Sequence, residues 1–181
     1  MTPMISVIAF LGNPGKQYEH TRHNLGWMVC SSMTAGMDLV WTEKFHSHWA
    51  TMYRKGRKII LQKPLAWMND SGKSVQSLLS FLKIPPEELL VVHDDLELPF
   101  GALNLKEGGG TAGHKGLKSI QGALGRGSFQ RLRLGIGRPR SISVSSHVLS
   151  RFTPEEEAEL PALCQRAGEM IIKMLDQKTG C

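Results

Sequence analysis

Ile5-Ser6-Val7-Ile8-Ala9-Phe10-Leu11 runs straight into Gly12-Asn13-Pro14-Gly15. An apolar run with almost no alternation predicts a strand buried on both faces, and the Gly-Asn-Pro-Gly that follows predicts the turn that stops it. Working outward, Leu89 to His93 repeats the same apolar pattern. Trp49 to Arg54, Lys58 to Gln62, Ala102 to Leu105 and Arg131 to Ile136 add shorter strand candidates. Between them lie helical periodicities. Thr21 is expected to cap a helix carrying Leu25, Met28 and Val29. Ser71 is expected to cap another with Val75, Leu78, Leu79 and Leu82, which ends before Pro85-Pro86. A third helix is predicted from about His114 to Leu124. A fourth runs from Pro154 to Leu175, with acidic Glu155, Glu156 and Glu157 in its first turn and Leu160, Leu163, Ala167, Met170, Ile171 and Met174 along one face. Strands alternating with helices predict a three-layer α/β domain, a twisted, mixed and mostly parallel sheet between helices, formed by residues 1–181 as one unit.

Composition agrees with one core. The chain has 181 residues, 41% hydrophobic and 21% charged, enough for one substantial core and too few for two ordinary domains. No run of eighteen apolar residues occurs, and Met1 to Leu11 lacks a basic segment and a small-residue cleavage site, so a cytoplasmic protein is expected. Cys30, Cys164 and Cys181 show no C-x-x-C spacing; the first two read as small core residues and the last as a frayed end. Lys and Arg number 22 against 16 Asp and Glu, and the resulting net charge of +6 favours a polyanionic partner without naming one.

Chemistry concentrates where strands end. Asn13, Tyr18 and the stretch Thr21-Arg22-His23-Asn24 follow the first strand within a dozen residues, the place where open α/β sheets bind ligands. His93-Asp94-Asp95 closes the apolar strand at Leu89, so a carboxylate is expected in the same crevice, where it can orient an imidazole for general base catalysis. Trp67-Met68-Asn69 supplies an aromatic face, a thioether and an amide that can meet an oxyanion. Gly108 to Gly113 contains a G-x-G-x-x-G match, but no acidic residue about twenty positions on would hold a ribose, and a dinucleotide reading is rejected. A glycine loop at a helix N-terminus, flanked by Lys106 and Lys115, retains the chemistry to accept phosphate. There is no serine elbow, complete Walker A loop or H-E-x-x-H pair. His20 with His23, or His46 with His48, lacks a coherent set of further metal ligands.

Taken together these segments resemble the bacterial-type peptidyl-tRNA hydrolase family. The matching motifs are G-N-P-G at Gly12 to Gly15 followed by Tyr18, T-R-H-N-x-G at Thr21 to Gly26 and M-N-x-S-G at Met68 to Gly72. Then come H-D-x-L-x-L-P-x-G at His93 to Gly101, G-G-G-x-x-G-H at Gly108 to His114 and R-L-R-x-G-I-G at Arg131 to Gly137. The resemblance implies a cofactor-free, metal-independent, monomeric esterase acting on peptidyl-tRNA. In it His23 is the general base, Asp94 its orienter and water the nucleophile. It implies that Asn13 separates a blocked peptidyl-tRNA from a free aminoacyl-tRNA. Tyr18, Trp67, Met68, Asn69, His114 and Lys115 then line the cleft for the 3′ end, and Lys106 and Arg133 clamp the 5′ phosphate. One position departs: Lys115 stands where the family pattern has Asn, and an ammonium lacks the acceptor oxygen of an amide. Two rival readings remain, a non-catalytic RNA-binding relative of the same fold and a metal-dependent phosphoesterase built on His93, Asp94, Asp95 and His23.

Overall fold

A computed structural model describes residues 3–177; Cys181 lies outside the described residues. Seven strands form one sheet: β1 (Val7–Phe10), β2 (Thr42–Lys44), β3 (Ser47–Arg54), β4 (Arg57–Pro64), β5 (Leu89–Asp95), β6 (Leu103–Glu107) and β7 (Gln130–Gly135). Their spatial order is β2-β3-β4-β1-β5-β7-β6. The four central strands are parallel, while β3 and β6 run against them and β2 pairs antiparallel with β3 at the edge. The sheet is therefore mixed and mostly parallel, as expected.

The apolar runs explain the layering. Along β1, Ile8 and Phe10 face one side, where α1 (Leu25–Thr34) and α5 (Pro154–Asp176) bring Val29, Leu163, Ala167 and Ile171. Val7 and Ala9 face the other side, against α2 (Ser71–Leu82) and α3 (Lys115–Leu124) with Val75, Leu78, Leu117 and Ile120. Each buried Val, Leu, Ile or Phe among them contributes about 1.5–3 kcal/mol on leaving water, so a central strand buried on both faces anchors two cores at once. Cys30 and Cys164 sit in the first core, and burial pushes their thiols up to about 12 and about 11. Neither is a nucleophile.

Two expected caps are corrected. Thr21 precedes a 3-10 turn, Arg22–Asn24, rather than the α-helix itself, and its hydroxyl donates to the Tyr18 carbonyl. Ser71 is the first helical residue of α2, not its cap, and its hydroxyl donates back to the Met68 carbonyl. In both cases a 3-10 turn just before offers a carbonyl three residues back, which the hydroxyl takes in preference to a first-turn amide. The terminal helix does carry a full capping box between Thr153 and Glu156. Two elements were not anticipated, the exposed edge strand β2 and the short helix α4 (Val144–Val148). Among the described residues no helix is long and apolar enough to cross a membrane.

Because β1 leads into α1 on one face and β4 into α2 on the other, the loops after these neighbouring strands diverge and leave a crevice at the carboxyl edge of the sheet. Gly26 lets α1 start close beneath it: a Cβ there would lie 2.6 Å from the Leu11 carbonyl and 2.7 Å from that of Val92. Gly72 does the same for α2, where a Cβ would collide with the Ser119 carbonyl of α3.

Candidate active site

The 3-10 turn that follows β1 presents three successive buried side chains, Arg22, His23 and Asn24, to three different partners. Arg22 donates to Ser150, to the Arg151 carbonyl and to Glu156, 2.6 Å away, tying the turn to the segment after α4 and to the first turn of α5. Asn24 interlocks with Asn13: its Oδ1 accepts from the Asn13 amide and its Nδ2 donates to the Asn13 carbonyl, both at 2.9 Å. His23, between them, has no freedom left except about its own side chain. It turns Nδ1 onto the carboxylate of Asp94, 3.0 and 2.9 Å from the two oxygens.

Asp94 is the penultimate residue of β5 and is 1% exposed. A second imidazole meets it, for His114 Nε2 lies 2.9 Å from Oδ1. His114 is the N-cap of α3, and its Nδ1 accepts from the main-chain amides of Gly116 and Leu117 at 3.1 and 3.2 Å. That nitrogen must be unprotonated to accept, so the ring proton is on Nε2 and is donated to Asp94. Burial opposes the charge on Asp94. The facing His23 and His114, by charge and hydrogen bonding, more than offset it and hold the carboxyl well below the usual carboxylate range. An ionised Asp94 keeps the His23 proton on Nδ1 and leaves a lone pair on Nε2, which has no partner among the described residues. A histidine in this state can accept a proton from water.

His23 and Asp94 open into a cleft of about 300 Å³. Asn13, Tyr18, Trp67, Met68, Asn69, His114 and Lys115 all line it, so nine of the eleven residues singled out in the sequence converge on one place. Asn13 Oδ1 accepts from the Met68 amide at 2.7 Å, which fixes the orientation of the amide and leaves its NH2 as the group offered to the cleft. Tyr18 and Trp67 meet edge to face, centroids 5.6 Å apart. Asn69 is exposed, and Lys115 has no carboxylate partner among the described residues. The far wall comes from Leu96 and from α4 with its neighbour, Val144, Val148 and Leu149. No sequence signal pointed to α4, a five-residue helix with no periodicity to read.

The two remaining residues line a neighbouring cavity of about 210 Å³, which shares His93, Asp95, Thr111 and Ala112 with the cleft. Lys106 is exposed there. Arg133 is engaged, its Nε 2.7 Å from Asp95 and its Nη1 3.2 Å from Asn104. Arg131, given no site role from the sequence, is 2% exposed and holds the Gly109 and Gly110 carbonyls in place. One expectation is corrected here. The glycine loop before α3 does not offer its helix N-terminus to a phosphate, because the His114 ring already takes two of the first-turn amides.

The acceptor atoms of His23, Asp94 and His114 lie within 4.8 Å of one another, a spacing that suits a metal ion. Their protonation does not suit one. With Nδ1 of His114 accepting from amides and Nδ1 of His23 donating to Asp94, the groups that converge carry protons where a cation needs lone pairs.

The peptidyl-tRNA hydrolase family matches residues 7–180. The chain is similar to a peptidyl-tRNA hydrolase of Treponema pallidum (strain Nichols), 43% identical over 176 residues, covering 94% of this chain and 87% of that one. A peptidyl-tRNA hydrolase of Mycobacterium tuberculosis (strain H37Rv) is 41% identical over 178 residues, with 94% and 91% covered. Among solved structures, a point mutant of peptidyl-tRNA hydrolase from Acinetobacter baumannii superposes with a TM-score of 0.89 at 34% identity, covering 97% of this chain and 91% of that one. With the match running through both cores and every segment of the cleft, the chain belongs to the peptidyl-tRNA hydrolase family.

Proposed function

We propose that the chain hydrolyses the ester joining a peptide to the terminal ribose of tRNA by direct attack of water. The observation that carries this reading is the His23–Asp94 pair, with the imidazole's Nε2 open to the cleft and its Nδ1 proton committed to a buried carboxylate. His23 takes a proton from water as the oxygen bonds to the ester carbon. The imidazolium so formed is stabilised by Asp94 and returns the proton to the departing ribose oxygen as the C–O bond breaks. No covalent intermediate on the protein and no cofactor is required. Asn69 offers an amide donor to the developing oxyanion.

Asn13 separates substrates by its donor–acceptor balance. With Oδ1 taken by Met68, it presents NH2 alone. A peptide carbonyl satisfies that donor, whereas the free ammonium of an aminoacyl-tRNA offers three more donors and finds no acceptor. Tyr18 and Trp67 provide aromatic faces for the terminal bases. Lys106 and Arg133 take the 5′ phosphate, and Lys115 adds a cation to the wall of the 3′-end site. Residues 1–181 act as one unit, a cytoplasmic monomer. A scaffold that bound RNA without turnover would have no chemical use for Asn13, His23, Asn69 and Asp94 together.

Release of peptide from purified peptidyl-tRNA, with free aminoacyl-tRNA as control, tests the reading. Release from the first and little from the second is expected. Retained RNA binding with no release from either would favour the non-catalytic alternative.

A further inference from the structure

His93 stands next to Asp94 on β5 and is 1% exposed, yet the reaction set out above gives it no task. Its Nδ1 lies 2.7 Å from the main-chain oxygen of Asp94, so the ring carries its proton on Nδ1 and donates it there. Nε2 then bears a lone pair, and it is buried without a partner among the described residues. The groups facing the ring are His114, edge-on with centroids 5.1 Å apart, and the carboxylates of Asp94 and Asp95. Burial, reinforced by His114, pushes the His93 imidazole down to about 3 against the weaker opposing pull of the Asp94 carbonyl and the two carboxylates. The ring is neutral at any working pH, and its proton stays on one nitrogen.

Packing alone does not account for such a residue. An apolar side chain would fill the same space without stranding an acceptor in the wall. What His93 adds is a single donor in a single place, a bond from its side chain to the next residue's carbonyl that closes a small ring and restricts the peptide carrying Asp94. That restriction matters because the Asp94 carboxylate has to satisfy His23 and His114, on two separate elements, both at 2.9 Å.

Resting on the assignment of His23 and Asp94 as base and orienter, we propose that His93 is a positioning residue for hydrolysis: its Nδ1–H holds the Asp94 carbonyl and thereby aims the carboxylate at His23. It borders the cleft but, 1% exposed, offers it almost no surface. Its whole effect passes through Asp94.

Single-turnover cleavage of peptidyl-tRNA at saturating enzyme tests this with three variants, His93→Leu, His93→Asn and, as reference, Asp94→Asn. His93→Leu removes the donor and is expected to slow cleavage by about tenfold or more, the scale of loss that small misplacements of a catalytic group produce. Substrate affinity should be unchanged. His93→Asn puts an amide NH2 near the place of Nδ1 and should restore the rate to within about threefold of wild type. The pH profile separates aiming from folding. With Asp94 misaimed, imidazolium at His23 loses its counter-charge, and the pH profile of cleavage is expected to change in the same sense as that of Asp94→Asn. A variant that merely folds poorly lowers the amplitude and leaves the profile in place. A wild-type rate and profile for His93→Leu, or equal losses in the Leu and Asn variants, overturns the role of His93. A wild-type rate for Asp94→Asn instead overturns the assignment beneath it. Should His93→Leu fail to fold, nitrogen-15 histidine spectra of the intact wild-type protein decide: a non-titrating, Nδ1-protonated His93 is expected between about pH 5 and 8, and titration or an Nε2 proton refutes the proposal.

Discussion

His114 Nε2 and Asp94 Oδ1 lie 2.9 Å apart, and the proton between them belongs to the histidine, because two amides of α3 occupy its other nitrogen. Asp94 thus accepts from two imidazoles at once, and their charge and hydrogen bonds favour its ionised form over taking a proton from His23. The pair works by charge, with the carboxylate steadying imidazolium rather than relaying protons.

Replacement of His23 by Ala is expected to abolish turnover while leaving tRNA affinity nearly intact. Asp94→Asn should be milder, with a rate loss on the order of a hundredfold or more, since the amide keeps a contact with the ring but not the charge. Single-turnover cleavage by folded His23→Ala is the deciding measurement; a rate within about tenfold of wild type would contradict the general-base role.

Lys106→Ala and Arg133→Ala should each weaken tRNA binding and reduce the slope of log affinity against log salt by about one, the signature of a lost phosphate contact. Arg133 starts from an ion pair with Asp95, so its engagement with phosphate competes with an existing partner. Asp95→Asn should therefore tighten binding through Arg133. Unchanged salt slopes in both alanine variants remove the cavity from the tRNA path.

Acid stability should follow His93 before it follows Asp94. An unfolded histidine takes a proton near 6.5 whereas the folded one resists to about 3, so the unfolded chain binds more protons between these values. Folding stability is undiminished above 6.5 and falls as the pH drops below it, by about 2–3 kcal/mol at pH 4.5 from this group alone. Asp94 acts in the opposite charge sense and in a lower window: its depressed value preserves stability above the ordinary carboxylate range and gives it up only in stronger acid. Denaturant unfolding at pH 7 and 4.5 checks this, with a clearly shallower loss expected for His93→Asn.

Chelation should leave turnover unchanged, because protons already occupy the directions along which His23, Asp94 and His114 would bind a cation. Inactivation by EDTA with recovery on adding a divalent ion would establish the metal-dependent alternative.

Lys115→Asn, which installs the amide of the family pattern, should raise cleavage if the ammonium only displaces an amide that orients substrate. It should lower affinity and the salt slope if Lys115 contacts substrate phosphate. The placement of Lys115 in the cleft wall without a carboxylate partner among the described residues favours the second outcome.

Much of this architecture was legible because its strongest signals are local. The apolar runs of β1 and β5 have no helical or alternating period, and their loops carry the turn residues that mark a ligand crevice. Thr42, Glu43 and Lys44 form a strand although all three are exposed, since an edge strand stabilised by pairing alone leaves no hydrophobic pattern. The partners of Arg22, Asn24 and His114 were equally unreadable. Arg22 meets Glu156 across 134 positions and His114 meets Asp94 across 20, and residue types alone do not say which polar groups the packing will bring together.

The interlock of Asn13 with Asn24 and Met68, and of His23 with Asp94, also bears on when activity can arise. These bonds span 11, 55 and 71 positions, and they require β1 to be seated between β4 and β5. The β3–β4 hairpin can form early from neighbouring residues, but parallel pairing has to wait for long loops to close. No fragment ending before β5 can assemble the catalytic pair, and during refolding the return of ester cleavage marks the closing of the central sheet.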